Sequence, residues 1–289
     1  MSEPTSGAPV TVPTKDLSDG TTIPALGFGV WRVEDDVAET AVGQALDAGY
    51  RLIDTASMYQ NETGVGRAIA SAADRGITYD DIYLTTKVNN ADQGYDETLR
   101  AFDVSAQKLG IDVLDLYLIH WPLPARGQYL DTWKALVQLK ADGKVKSIGV
   151  CNFLPEHLEV IIGETGVAPS INQIELHPYL QQKEAREFHA KHGIVTEDWS
   201  PLGAGDNNLL ADPTLIEIAA RNGVSPAQAV LAWHLAIGSV VIPKSVTPSR
   251  IVENLVAATV TLPAEDLGLI NGLDKGARTG PDPATFNPS

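Results

Sequence analysis

Short apolar runs alternate with longer stretches of helical period along almost the whole chain. The runs extend over Leu26 to Gly29, Leu52 to Asp54, Ile82 to Lys87, Leu114 to His120, Val145 to Cys151, Ile171 to Glu175, Ile194 to Trp199 and Val240 to Ile242, which gives eight candidate strands. Between them apolar residues recur on one helical face, as in Val37, Ala41, Ala45 and Ala48, or Phe102, Ala106 and Leu109. A parallel strand covered by helices buries both faces and reads as continuously apolar, and Leu114 to Ile119 and Val145 to Val150 approach this. Closing eight such strand–helix units on themselves predicts an α/β fold, a (β/α)8 TIM barrel.

Two segments fall outside the repeat. Leu17 to Ile23 carries Asp19-Gly20 between β-prone residues and predicts an N-terminal hairpin. The stretch from Gly276 to Ser289 holds several Pro and Gly residues beyond the last helical pattern, and predicts a short tail that wraps the surface or covers a site. No linker divides the chain, so residues 1–289 read as a single barrel domain with 1–16 flexible. An open doubly wound sheet would give the same alternation, but it needs a dinucleotide-binding glycine fingerprint. Gly27-Phe28-Gly29 and Gly64-Val65-Gly66 both lack its third glycine, because Arg32 and Ile69 stand there.

Composition narrows the partners. The chain carries 37 acidic against 21 basic residues, a formal charge of -16, which disfavours nucleic acid and anionic membrane surfaces. An anionic cofactor is still allowed where individual Lys and Arg residues are placed to meet it, because screening limits the reach of distant charge. Cys151 is the only cysteine, which excludes an intrachain disulfide and fits a reducing compartment. No stretch resembles a signal peptide or a membrane span, so a cytoplasmic protein is expected. No exposed apolar helix stands out, so a monomer is the default.

In a parallel barrel the site lies at the C-terminal ends of the strands. Asp54, Lys87 and His120 end three consecutive runs, and Tyr59 follows Asp54 by five positions. Separately each has an ordinary explanation: a helix cap, a rim charge, a core histidine, a half-buried packing residue. Together on adjacent strands they look like proton-transfer machinery. A free Tyr titrates near about 10 and donates poorly at neutral pH unless a cation stabilises its phenolate, and Lys87, aimed by Asp54, could supply one. Hydride addition to a carbonyl builds charge on oxygen that such a set could meet, with Tyr59 donating the proton and His120 bonding the substrate oxygen. No side chain supplies hydride, so a nicotinamide cofactor is implied. After the eighth run, Lys244-Ser245-Val246-Thr247-Pro248-Ser249-Arg250 opens a helix with Thr247 as expected N-cap, a place where backbone N–H groups and two cations favour phosphate.

Asp54-Thr55-Ala56-Ser57-Met58-Tyr59-Gln60-Asn61-Glu62 resembles the signature segment of the aldo-keto reductases, and Trp199 at the stacking position, a short loop from Leu123 to Tyr129 and a short tail look most like the microbial 2,5-diketo-D-gluconate reductase type. Leu114 to Pro122, Ile148 to Phe153, Asn172 to Pro178 and Ile242 to Ser245 extend the resemblance in family order across the barrel. It implies Tyr59 as general acid, Lys87 and Asp54 as its tuning pair and His120 as carbonyl-orienting group. It also implies NADPH extended across the barrel mouth, with Asn152 and Gln173 on the carboxamide and Trp199 stacked on the ring. Ser200, Leu202, Lys244, Ser245, Arg250, Glu253 and Asn254 would line the rest, with Lys244 and Arg250 favouring the 2′-phosphate.

The sequence departs from the family at Cys151, where Ser is usual, and at Trp199, where Tyr is common, which removes a strong donor and changes the stacking surface. Trp31, Tyr59, His120 and Trp121 are expected to wall the substrate pocket, with Phe286 of the tail a further candidate. Glu175 and His177 could ligate a metal, but only two ligands are local, so a structural role is preferred and no metal is expected. The expected function is NADPH-dependent reduction of aldehydes, ketones or dicarbonyls. A barrel that binds NADPH as a regulatory subunit and reduces carbonyls slowly or not at all is the alternative, and intact Tyr59, Lys87 and His120 argue against it.

Overall fold

The alternation of runs and helical stretches closes into a barrel in the computed structural model, which describes residues 10–205 and 207–288. The parallel strands are β3 (Phe28–Gly29), β4 (Leu52–Asp54), β5 (Tyr83–Val88), β6 (Leu114–Ile119), β7 (Val145–Cys151), β8 (Ile171–Glu175), β9 (Val195–Trp199) and β10 (Val240–Val241), neighbours in sequence being neighbours in the sheet. Parallel bridges Leu26–Val241 and Gly29–Lys244 join the first strand to the last, with Gly27 N–H donating to Val241 O at 2.8 Å and Val241 N–H to Ala25 O at 2.9 Å. An open sheet has no such closure, so the rival topology is excluded.

Helices α1 (Asp35–Ala48), α2 (Glu62–Ala72), α3 (Tyr95–Leu109), α4 (Tyr129–Ala141), α5 (Pro155–Thr165) and α6 (Lys183–His192) follow β3 to β8 in turn. Two helices, α7 (Pro213–Asn222) and α8 (Pro226–Ala236), separate β9 from β10, and α9 (Pro248–Val256) and α10 (Ala264–Asn271) complete the order. Gly64 and Gly66 have a packing role here. A Cβ on Gly64 would fall 1.9 Å from Asp35 O, and one on Gly66 2.7 Å from Leu109 O, so these glycines let α2 sit tightly between α1 and α3.

The barrel interior is filled by Leu52, Leu116, Leu118, Ile171, Val240 and Ile242. A hairpin plugs its lower end. Its strands are β1 (Thr14–Asp16), just before the expected Leu17 to Ile23 stretch, and β2 (Thr22–Pro24), which overlaps the end of that stretch, with Gly20 in the turn at φ 86°. Asp19 Oδ2 accepts from Lys140 Nζ at 2.6 Å, Ser147 Oγ at 2.8 Å and Ser170 Oγ at 2.9 Å, tying the plug to the barrel. The expected flexible start through residue 16 needs correction, because Thr14–Asp16 pairs as a strand; residues 1–9 lie outside the described part. No helix among the described residues is long and apolar enough to cross a membrane.

Candidate active site

The upper end of the barrel gathers the four titratable groups. Asp54 is the last residue of β4, Lys87 the penultimate residue of β5, and His120, the expected strand end, lies one position past the end of β6. Tyr59 closes a short 3-10 turn, Ser57–Tyr59, after β4. Lys87 is fully buried and its Nζ donates to Asp54 Oδ1 at 2.7 Å, Asp54 Oδ2 at 2.9 Å and Thr55 O at 3.0 Å, with the Tyr59 hydroxyl at 3.4 Å. The ammonium also lies 5.0 Å from the centre of the Tyr59 ring. Burial lowers Lys87, but the charge and hydrogen bonds of Asp54, with smaller help from Tyr59 and Cys151, together raise the group above its usual value.

Two consequences depart from the simple expectation for Tyr59 and His120. Burial raises the Tyr59 phenol above its ordinary value, and the opposing pull of Lys87 does not overcome it. Tyr59 is therefore a firmly protonated phenol at neutral pH, and the cation matters for the phenolate left after proton donation. Burial, reinforced by Lys87, holds His120 well below the usual imidazole range, so it is neutral. A neutral ring next to Tyr59, centroids 5.5 Å apart, can donate one N–H to an oxygen without competing as the acid.

Asn152 and Ser200 are the first residues past β7 and β9 and hold left-handed φ values of 63° and 51°. This conformation is costly for residues other than glycine and persists where the surroundings enforce it, which is common at functional sites. Trp199 Nε1 donates to Asn152 Oδ1 at 2.8 Å, and Asn152 Nδ2 donates to His120 O at 3.1 Å. Gln173 Nε2 donates to two carboxyl groups, Asp54 and Glu197, both at 2.8 Å. The side-chain amide nitrogens are thus committed inside the protein; Asn152 Oδ1 already accepts one N–H from Trp199, while Gln173 Oε1 has only a weak contact with the Cys151 thiol. Cys151 lies 3.6 Å from Gln173 Oε1, a weak thiol contact, and burial keeps the thiol protonated.

A cavity of about 930 Å³ opens above these groups. Trp31, Tyr59, His120 and Trp121 line it, together with Asn152, Gln173, Trp199, Ser200 and Leu202. A neighbouring groove of about 580 Å³ is lined by Ser245, Glu253 and Asn254, and the two share Leu202, Leu210, Lys244 and Arg250. The result is one continuous cleft across the barrel mouth. Thr247 is at the N-cap of α9, as expected, but its side chain caps nothing; Ser245 Oγ instead accepts the Thr247 N–H at 3.1 Å.

The tail reaches the same cavity through Thr279, Gly280 and Pro281. Glu175, fully buried, holds it there: Oε1 accepts from Thr279 N at 2.6 Å, and Oε2 from Gly280 N at 3.0 Å. His177 contacts the same carboxylate at 3.2 Å, and no cluster of three or more potential metal-ligating residues occurs among the described residues. Phe286 is not part of the cavity wall; it packs against Trp121 with ring centroids 4.4 Å apart.

Sequence reasoning missed three contributions. Arg32 and Met58 line the cavity with no signal beyond their proximity to Trp31 and Tyr59. Ser225 and Pro226 line the groove at the start of α8, and the Ser-Pro-Ala-Gln capping box there was a readable helix start. Glu197 was legible as an acid inside a run that should have been apolar.

The aldo/keto reductase family matches residues 25–275. The chain belongs to that family. It is 53% identical over 275 residues to an aldo-keto reductase of Mycolicibacterium smegmatis, covering 95% of this chain and 98% of that protein. It is 48% identical over 270 residues to the methylglyoxal reductase DkgA of Salmonella typhimurium, covering 93% and 96% respectively. Among solved structures, a mutant of Gox0644 in complex with NADPH superposes with a TM-score of 0.90 at 49% identity, covering 96% of this chain and 99% of that one. The aldo/keto reductase from Brucella melitensis superposes at 0.88 with 54% identity, covering 92% and 99%.

Proposed function

We propose that this chain reduces the carbonyl group of small aldehydes, ketones or dicarbonyls with NADPH, and that Tyr59 is the general acid. The observation that carries the reading is the Lys87 ammonium, held by Asp54 and lying 3.4 Å from the Tyr59 hydroxyl at the floor of the cavity. The cleft suits an extended dinucleotide: Asn152, Gln173 and Trp199 line one end, where they would hold a carboxamide and stack on its ring, and Lys244 and Arg250 line the other, where they would meet phosphate. The dihydronicotinamide supplies the hydride when bound.

The chain's own residues do the rest. The neutral His120 donates to the substrate oxygen and fixes the carbonyl. Tyr59 passes its proton to that oxygen as negative charge develops there, and the remaining phenolate is stabilised by Lys87 until solvent returns a proton. Aromatic walls from Trp31 and Trp121, with the tail across the opening, exclude water from the reacting atoms.

The protein is expected to act as a cytoplasmic monomer on a small-molecule substrate. The test is NADPH oxidation against a panel of dicarbonyls, keto sugars and aldehydes. Turnover of at least one class supports the reading, whereas tight NADPH binding with no reduction across the panel would favour a regulatory cofactor-binding subunit. Arg250→Ala should weaken NADPH about tenfold more than NADH, the size of one charge-assisted hydrogen bond; an unchanged ratio removes Arg250 from the 2′-phosphate site.

A further inference from the structure

Two buried carboxyl groups, Asp54 and Glu197, lie at and below the cavity floor with one ammonium, Lys87, paired to Asp54. Asp54 directs both oxygens to Lys87. Glu197, on β9 opposite Gln173 of β8, has no exposed surface, takes one Gln173 N–H on Oε2, and leaves Oε1 without a partner among the described residues. The charged and titratable groups around it are Asp54 of β4, Lys87 of β5 and its chain neighbour Asp198. Tyr83 of β5 and Cys151 of β7 act on it more weakly. Asp198 is bonded to His234 of α8 at 2.7 Å, and β10 presents the apolar Val240.

Two carboxylates with one ammonium would leave an uncompensated negative charge in a dry barrel, which is strongly disfavoured. Asp54 holds the ion pair, so Glu197 is the group that keeps its proton. Burial first, and then the charge of Asp54, push its carboxyl up to about 8. A carboxylic acid here still accepts the Gln173 N–H. With Asp54 taking the other, the Gln173 amide cannot turn over, and its carbonyl oxygen stays toward the cavity.

We propose that Glu197 is a positioning residue for the nicotinamide: a neutral acid that fixes the Gln173 amide, and whose ionisation tilts the site toward the oxidised, positively charged cofactor. The proposal rests on the reading of Gln173 as partner of the cofactor carboxamide. Its physical basis is that the oxidised ring carries a positive charge that the reduced ring lacks, so a new carboxylate beneath Gln173 stabilises the oxidised form selectively. The phosphates are common to both forms, and their own titration cancels in the ratio of the two affinities.

The experiment is a titration of NADPH and NADP+ by protein fluorescence from about pH 6.5 to pH 9, with native protein, Glu197→Gln, Glu197→Leu and Gln173→Leu, alongside thermal melting over the same variants. In native protein the ratio of affinities should move toward NADP+ by about tenfold across the titration, the order of a charge–charge term at an effective dielectric near 20. It should stay flat in Glu197→Gln. Glu197→Leu should weaken both cofactors about fivefold at the acid end, as expected for losing one hydrogen bond, with Glu197→Gln restoring them.

Melting supplies an independent reading. A carboxyl raised on folding contributes stability that is full below its unfolded value and is lost as pH rises through the folded one. Native protein should therefore lose melting temperature between about pH 5 and pH 8 more steeply than Glu197→Gln. If Glu197→Leu fails to fold, Glu197→Gln decides alone. Superimposable melting profiles, or a Glu197→Gln ratio that follows native protein, would overturn the proposal by itself. Unchanged affinities in Gln173→Leu would overturn the cofactor reading, and the proposal with it.

Discussion

The two ends of the barrel each set an acid beside a lysine, partly exposed at the lower end and buried at the upper, and they solve the problem differently. At the lower end Asp19 receives Lys140, two serine hydroxyls and Thr21, and these bonds outweigh burial and hold its carboxyl well below the usual carboxylate range. At the upper end one lysine serves Asp54 while Glu197 is left with a single bond, and Glu197 Oε1 and His120 Nδ1 are unpartnered among the described residues. Asp19 is saturated and fastens the plug to the barrel. The upper end holds polar groups short of partners, next to a cavity, at the strand ends where barrel chemistry is found. Between these two acids it is the supply of partners, not charge as such, that separates the one beside the cavity from the one that holds the plug.

The lysines should divide most clearly. Lys87→Met leaves Asp54 buried without its cation and should cost about 3–5 kcal/mol of stability, whereas Lys140→Met, at a site one-third exposed, should cost about 1 kcal/mol or less. Denaturant unfolding of the two variants checks this, and equal costs would break the comparison. A smaller effect belongs to Asp19. Because its carboxyl is depressed on folding, its stabilisation is present above the ordinary carboxylate value and is lost as pH falls below it. Asp19→Asn should therefore flatten the loss of melting temperature between about pH 4 and pH 2 without altering turnover at neutral pH.

The tail gives the smallest expected change. Glu175→Gln weakens the grip on Thr279 and Gly280 and should raise KM a few-fold while the fold melts near its native temperature. The cause is geometric: a Cβ on Gly280 would fall 2.4 Å from the Trp199 ring, so this segment rests directly on that side chain. An unchanged KM would mean that the tail lies by the cavity without shaping it.

Most of the barrel was legible because each buried parallel strand is a short apolar run, and Asp54, Lys87 and His120 stood out as polar residues at the ends of such runs. Boundaries were less so: Phe28–Gly29 and Val240–Val241 are only two residues each, because the barrel closes there through single bridges at Leu26 and Lys244. Pairings across the barrel were not readable at all. Nothing in the order of the chain announces that Gln173 bridges Asp54 and Glu197, or that Glu175 holds Thr279, since these contacts join strands and tail far apart in sequence. Nor did the sequence show that burial would outweigh Lys87 at Tyr59, because the balance depends on how far the ring is enclosed.

The most direct test of the account is turnover and NADPH affinity measured together in Tyr59→Phe. The ring still packs against His120 and Lys87, so affinity should change by less than about twofold, while carbonyl reduction should fall at least about 100-fold with the proton donor gone. Retained turnover, or an equal loss of turnover and cofactor affinity, would contradict the assignment of Tyr59 as the acid.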